Sequence, residues 1–340
     1  MTFKSGKFSW QGGRTDTAAD RTAFVLKGVA QTLIGLGVGW ELDTARNATV
    51  DNYTVMSGAT ASYLLYLKNV DGARLMVSYS YLGASGFAQS LGAGNNNVGG
   101  LIMSMIPPGE GEFGTNPAAS NFLPAKATRL MGGCMGAGTS FYSLASTNSA
   151  GATYSYTLVS DGKRVAVFAG TGGTGLQAYA IGELFSALAH DKNVYGVLPL
   201  TYHVSAEATT DAMYGINQTG LFQDQMYYPM RGCIAVMDAE GNWKTASSPS
   251  SSDTPFLGAD TELLSDAVGA ARWVPLWLAV PVTTMGGIVD GDGLKGYIDP
   301  AFLRETALHA QGDLLNDGGF IYIGGRLAMG WDKDNTDSMF

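Results

Sequence analysis

Thr153-Tyr154-Ser155-Tyr156-Thr157-Leu158-Val159-Ser160-Asp161-Gly162-Lys163-Arg164-Val165-Ala166-Val167-Phe168 reads as a single β-hairpin. Two runs rich in aromatic and β-branched residues flank Asp161-Gly162. An Asp-Gly pair tolerates the positive φ that a tight reversal between twisted strands requires. The pairing it predicts is antiparallel, and the same texture recurs on both sides. Upstream lie Gly39-Trp40-Glu41-Leu42-Asp43, Tyr53-Thr54-Val55-Met56, the run from Tyr63 to Leu67 and the run from Leu75 to Tyr81. Downstream, Val194 to Val204 reads as a strand broken or begun at Pro199, and Trp273 to Val282 as a buried apolar strand. Phe320 to Ile323 and Leu327 to Met329 read as a closing hairpin around Gly324-Gly325.

Helices are expected between these runs. Residues 16–38 carry Phe24, Leu26, Val29, Leu33 and Ile34 at near-helical spacing, with Asp16 or Thr17 as cap and Gly35, Gly37 and Gly39 as the end. A second helix is predicted over 175–190, with Leu176, Tyr179, Ala180, Leu184 and Leu188 on one face. Short helices are expected after Asp260, through Val268, and after Asp299-Pro300, from Phe302 to His309. The fold class is therefore α+β, with mostly antiparallel, β-rich units and helices packed on the sheets. Composition divides the chain into an N-terminal unit (1–106), a Pro/Gly-rich connection (107–125), a central unit (126–245), a Ser/Pro-rich loop (246–255) and a C-terminal unit (256–340).

Composition also narrows function. Charged residues make up 14% of the 340, against about 25% in an average globular chain, so much of the surface is neutral. With 29 acidic and 20 scattered basic residues, the net charge of −9 argues against wrapping nucleic acid, which takes clustered Lys and Arg. No apolar stretch reaches the length of a membrane span, and the first ten residues carry no signal-peptide core, so synthesis in a cytoplasm is expected. The Asn-x-Thr triplets at Asn47, Asn52 and Asn217 accordingly carry no weight as glycosylation sites. Cys134 and Cys233 are read as two buried thiols without a disulfide framework.

Chemistry-bearing motifs are sparse. Gly170-Thr171-Gly172-Gly173-Thr174-Gly175 fits the G-x-G-x-x-G pattern of a dinucleotide loop, with Asp191 some way past it. The strand before it belongs to the Asp-Gly hairpin, however, and a plain glycine-rich strand-to-helix turn is the preferred reading. Asp290 with Asp292, and Asp332, Asp334 and Asp337, offer the oxygen ligands a hard cation takes, yet neither set matches an EF-hand loop. His190, His203 and His309 show no metal or nucleophile spacing. Tyr63, Tyr66, Tyr79 and Tyr81, and also Tyr227 and Tyr228, would stack on a glycan if exposed, and are read instead as a sheet core and its rim. No catalytic, cofactor-binding or metal-binding residue is assigned, and the chain is expected not to be an enzyme.

The segment from Leu294 to Arg304, followed by Gly318 to Asp332, resembles the closing segment of tailed-bacteriophage virion structural proteins. Gly39 to Leu42, Tyr63 to Lys68 and Tyr156 to Phe168 are similar to that group in layout. The resemblance implies a subunit of the tail, baseplate or neck, acting by assembly with other virion proteins and as a homo-oligomer in the particle, with host-surface contact an added role. Within the particle the rival is a capsid decoration or cement protein. Outside it, the rival is a nucleotide-binding oxidoreductase using the Gly170–Gly175 loop.

Overall fold

The computed structural model describes residues 2–11, 15–55, 62–80, 100–109, 111–113, 130–134, 153–171, 177–183, 194–199, 213–217, 233–237, 243–246, 256–257, 273–275, 277–280, 293–297, 302–305, 312–315, 318–324 and 327–335. In chain order these hold β1 (Lys4–Gln11), α1 (Ala18–Gly35), β2 (Trp40–Leu42), β3 (Thr54–Val55), β4 (Ser62–Asn69), β5 (Arg74–Ser80), β6 (Gly100–Ile106) and β7 (Leu130–Cys134). Then come β8 (Thr153–Ser160), β9 (Arg164–Thr171), β10 (Gln177–Glu183), β11 (Val194–Pro199), β12 (Met213–Asn217), β13 (Cys233–Met237) and β14 (Trp243–Ala246). The last are β15 (Phe256–Leu257), β16 (Trp273–Pro275), β17 (Trp277–Val280), β18 (Gly293–Tyr297), β19 (Phe302–Glu305), β20 (Leu314–Leu315), β21 (Phe320–Gly324) and β22 (Leu327–Gly330). The fold is α+β, its strands paired antiparallel throughout.

Two large sheets organise the chain. The first runs β1-β8-β9-β10-β11-β13-β14, and the second runs β12-β7-β6-β5-β4-β2 with β3 added on β4. Each sheet takes strands from both sides of residues 107–125: β1 pairs along β8, while β7 joins β6 and β12 joins β7. The remaining strands form a three-stranded sheet, β15-β17-β18, and a five-stranded one, β16-β19-β22-β21-β20.

The 153–168 stretch folds as read, with β8 and β9 in register from Tyr154↔Thr171 to Ser160↔Val165 and Gly162 at φ +92° in the turn. Alternation then sends Tyr156, Leu158, Val165 and Val167 to one face, with Trp10 and Phe8 of β1. The facing side of the second sheet supplies Tyr63, Leu65, Leu67, Leu75, Val77, Tyr79, Leu101, Met103 and Met105. The two faces meet where Tyr79 and Tyr156 contact edge to face, ring centroids 6.3 Å apart. Burial holds the Tyr79 phenol well above its ordinary pKa, so it stays a neutral hydroxyl there.

Elsewhere α1 packs between β1 and β8 on one side and β4 and β5 on the other. Thr22, Val25, Leu26, Val29, Ala30 and Leu33 recur at helical spacing and are buried. Burying such a Val or Leu side chain contributes about 1.5–3 kcal/mol, so this stripe is a main source of cohesion. Thr17 is the N-cap: its hydroxyl oxygen accepts from the Asp20 backbone N–H at 3.1 Å and donates to the Asp20 carboxylate at 2.6 Å. Gly37 and Gly39, at φ +69° and +99°, release the chain toward β2. At Gly28 the missing side chain matters, because a Cβ would lie 2.2 Å from the Phe8 ring.

A polar latch joins the sheets past the C-terminal end of α1. Trp40 donates its indole N–H to Ser160 Oγ at 3.0 Å, and Ser160 donates to the Arg164 carbonyl at 2.6 Å. Asn69 donates to the Gly162 carbonyl at 2.6 Å. Beside them the Arg164 guanidinium meets the Asp161 carboxylate at 2.9 Å, both side chains almost wholly buried. The C-terminal residues reach the same sheet: Lys4 pairs with Asp332 at 3.3 Å, Asn335 donates to Ser5 Oγ at 2.5 Å, and Gly330 lies against Phe3.

Some expected elements are different. Residues 177–183 form β10, a strand between β9 and β11, and not the helix expected over 175–190. Gly182 shows why: at φ +133° its Cβ would come 2.5 Å from the Lys163 carbonyl, an approach of two backbones that only glycine permits. Its neighbours Ala180 and Ile181 are both fully buried, as in a strand covered on both faces. Phe302–Glu305 is strand β19, held between β16 and β22, so sheet pairing overrides the cap signal at Asp299-Pro300. The single strand expected from Trp273 to Val282 is two, β16 and β17, belonging to different sheets. The single helix among the described residues is α1, and none is long and apolar enough to cross a membrane. The short helix expected after Asp260, the 247–255 tract and residues 110 and 114–125 of the connection lie outside the described residues.

Candidate functional site

A cavity of about 370 Å³ opens along the N-terminal part of α1. Asp20, Phe24, Lys27 and Gln31 line it at i, i+4, i+7 and i+11, one stripe beside the buried one. Asp16 comes from the approach to the helix, Phe8 from β1, and Tyr53 from the segment before β3. The size lies within the roughly 300–1,000 Å³ of small-ligand sites, near the lower end.

The aromatic lining is fixed by contacts of its own. Phe8 stacks on Trp10 with centroids 5.2 Å apart and meets Phe24 at 5.3 Å, while Gly28 gives it room to lie on the helix. Tyr53 packs on Tyr63 at 4.8 Å and carries the Lys27 ammonium 5.7 Å from its ring centre. That ammonium pairs with Asp51 at 2.7 Å. Burial first, then the neighbouring Tyr53 and the Asp20 charge, push the Tyr63 phenol up, so it remains protonated beside the cavity. The lining thus combines flat apolar rings, two carboxylates that accept hydrogen bonds, and an ammonium and an amide that donate them. Such a set offers apolar packing together with hydrogen-bond acceptors and donors.

On the outer face of the second sheet a different cluster is closed on itself. Tyr66 lies under the Arg46 guanidinium, 4.8 Å from ring centre to Cζ, and against Phe113 at 5.7 Å. Arg46 donates to the Phe113 carbonyl, and Arg74 joins Glu112 at 2.7 Å. Asn47 is fully buried here, its Oδ1 accepting from the Tyr66 backbone N–H at 3.0 Å. Burial raises the Tyr66 phenol to about 12, with the Arg46 guanidinium acting the other way.

The sequence-derived candidates fare unevenly. The Gly170–Gly175 motif falls between β9 and β10, adjacent antiparallel strands, so the strand-to-helix context of a dinucleotide loop is replaced by a β-to-β connection. The plain turn favoured for it is likewise strand-to-strand. Residues 172–175 of it, and Asp191, lie outside the described residues. Asp332 is spent on Lys4 and on the Asp334 backbone N–H at 3.2 Å, and no metal-ligating group of three occurs among the described residues. Tyr63, Tyr66 and Tyr79 are core, as preferred over a glycan surface. Cys134 ends β7 in the second sheet and Cys233 opens β13 in the first. His190, His203, His309, Asp290, Asp292, Asp337, Tyr81, Tyr227 and Tyr228 lie outside the described residues.

Reading the sequence alone missed the cavity. The signal was present in the Asp20, Phe24, Lys27, Gln31 stripe, but Phe8 and Tyr53 reach it only through tertiary structure. Comparison with family models, with curated proteins and with solved structures finds no match for this chain.

Proposed function

We propose that this chain is a structural subunit of a tailed-bacteriophage virion, placed in the tail, baseplate or neck, and that it works by protein–protein assembly and not by catalysis. The observation that carries the reading is a large antiparallel body of low charge. Only 14% of residues are charged, while both large sheets end in strands paired along one side among the described residues. Neutral surface and sheet edges are what neighbouring subunits cover, and in an isolated chain both are liabilities. The layout of Tyr156 to Phe168 and of Gly318 to Asp332, similar to that group of virion proteins, supports the same reading. On this reading the chain is made in the host cytoplasm, its partners are other virion proteins and further copies of itself, and neither nucleic acid nor a cofactor is required.

Mass spectrometry of purified particles, combined with antibody labelling in electron micrographs, tests it. The expected result is the chain in intact particles with label at the tail or neck. Label spread over the capsid lattice would establish the cement role instead. A chain confined to the soluble lysate would overturn the assembly reading altogether.

A further inference from the structure

We propose that the cavity beside α1 is a binding site for a neutral sugar unit. The inference goes beyond the assembly role and does not rest on it.

Three features of the cavity select the ligand. First, Phe8 and Phe24 form an apolar wall that is in place before any ligand arrives, because Trp10 backs Phe8 at 5.2 Å and Gly28 seats it on the helix. A pyranose ring has a C–H face that packs on such a surface, and a preformed wall avoids the entropy of ordering one. Second, the rim alternates acceptors with donors: the Asp16 and Asp20 carboxylates, the Lys27 ammonium and the Gln31 amide. Sugar hydroxyls both donate and accept, so one ring satisfies both kinds of group. Third, the polar groups of the lining fit the other ligand classes less well. An anion meets two carboxylates and a lysine whose charge Asp51 already matches at 2.7 Å. An organic cation would answer the carboxylates, but it finds the Tyr53 ring already carrying Lys27 and leaves the Lys27 and Gln31 donors without an acceptor. A wholly apolar ligand would strip water from the carboxylates and return no hydrogen bond. A cavity of about 370 Å³ suits a small unit, either a free sugar or the end of a polysaccharide.

Saturation-transfer NMR on the full chain, with glucose, galactose, mannose, rhamnose and N-acetylglucosamine, tests the proposal. Neutral polysaccharides form a second arm. Saturable transfer is expected from at least one sugar, strongest at the ring C–H protons that face Phe8 and Phe24. Response to free sugars would identify the monomer as sufficient, and response to the polymer arm alone would identify chain ends. Gln31→Ala and Asp16→Asn, both outside the core, are expected to weaken binding roughly tenfold while the melting temperature stays unchanged. Three results would each overturn the proposal: no saturable transfer in either arm, binding that both variants leave intact, or a response confined to inorganic phosphate or an alkylguanidinium used as controls.

Discussion

Replacing Gly162 with alanine tests the latch between the two large sheets. Gly162 sits at φ +92°, and a Cβ built there would lie 2.4 Å from the Val38 carbonyl oxygen. Side chains pay about 1–2 kcal/mol for left-handed backbone. An ordinary carbon-to-oxygen contact is about 3.3–3.6 Å, so the turn must also retreat by about 1 Å. Retreat breaks the 2.6 Å bond from Asn69 to the Gly162 carbonyl, a buried pair whose loss costs about 1–3 kcal/mol. Together we predict a loss of about 2–5 kcal/mol, a large share of the roughly 5–15 kcal/mol that holds a domain folded.

Urea titration followed by circular dichroism reads this directly. With a slope of about 3 kcal/mol per molar, fitting a large domain, the midpoint should fall by about 0.7–1.7 M. Gly35→Ala is the control, since that glycine ends α1 and a Cβ there meets nothing within 4 Å. It should leave stability unchanged or raise it by up to about 1 kcal/mol through lower chain entropy. If Gly162→Ala unfolds at the same urea concentration as Gly35→Ala, the account of the turn is wrong.

Three further predictions follow from buried groups. Arg164→Ala strands the buried Asp161 carboxylate and should cost about 3–5 kcal/mol by calorimetry, with part recovered in the Arg164→Ala, Asp161→Asn double variant, whose amide oxygen still accepts from the Lys163 and Arg164 backbone N–H groups; equal losses in both would refute a charge origin. Burial raises the Tyr66 phenol from 10.0 to about 12, so its neutral form is favoured in the folded state. That contribution is full below the unfolded value and is lost as pH rises through the folded one, with about 2–3 kcal/mol at stake. Tyr66→Phe should therefore flatten the fall in stability between about pH 10 and about pH 12, and an unchanged slope would remove Tyr66 as its source. Truncation after Asp317 removes buried Ile321, Met329 and Trp331, each worth about 2–5 kcal/mol, and the Lys4 and Phe3 contacts. An aggregated or early-melting product is expected by gel filtration and thermal scan, and a truncate that melts like the full chain would show the segment to be peripheral.

What could be read in advance was local. Thr17 and the stripe from Thr22 to Leu33 announce α1, because cap and period lie within a few turns of sequence. Asp161-Gly162 and Gly324-Gly325 announce hairpins for the same reason. The strand at Gln177–Glu183 was illegible, since a short apolar run fits either period and the deciding fact is the Lys163 backbone lying against Gly182. Phe302–Glu305 failed similarly, its strand state imposed by Leu327 to Met329. The cavity needed Phe8, Phe24 and Tyr53 to meet across three separate segments, which no spacing along the chain encodes.

Latch and cavity are linked through α1. Ser160 Oγ accepts from Trp40 Nε1 and from the Gly162 N–H and donates to the Arg164 carbonyl, so its one proton and both lone pairs are engaged. Separating the sheets at this point leaves several buried polar groups without partners, each costing about 1–3 kcal/mol. That penalty holds β1 and β8 at a set distance from β2 and β4, with α1 clamped between them. Phe8 rides on the first sheet, and Tyr53 is fastened to the second through Tyr63. The gap between those two rings, and hence the width of the cavity, is therefore set by hydrogen bonds beyond the other end of the helix.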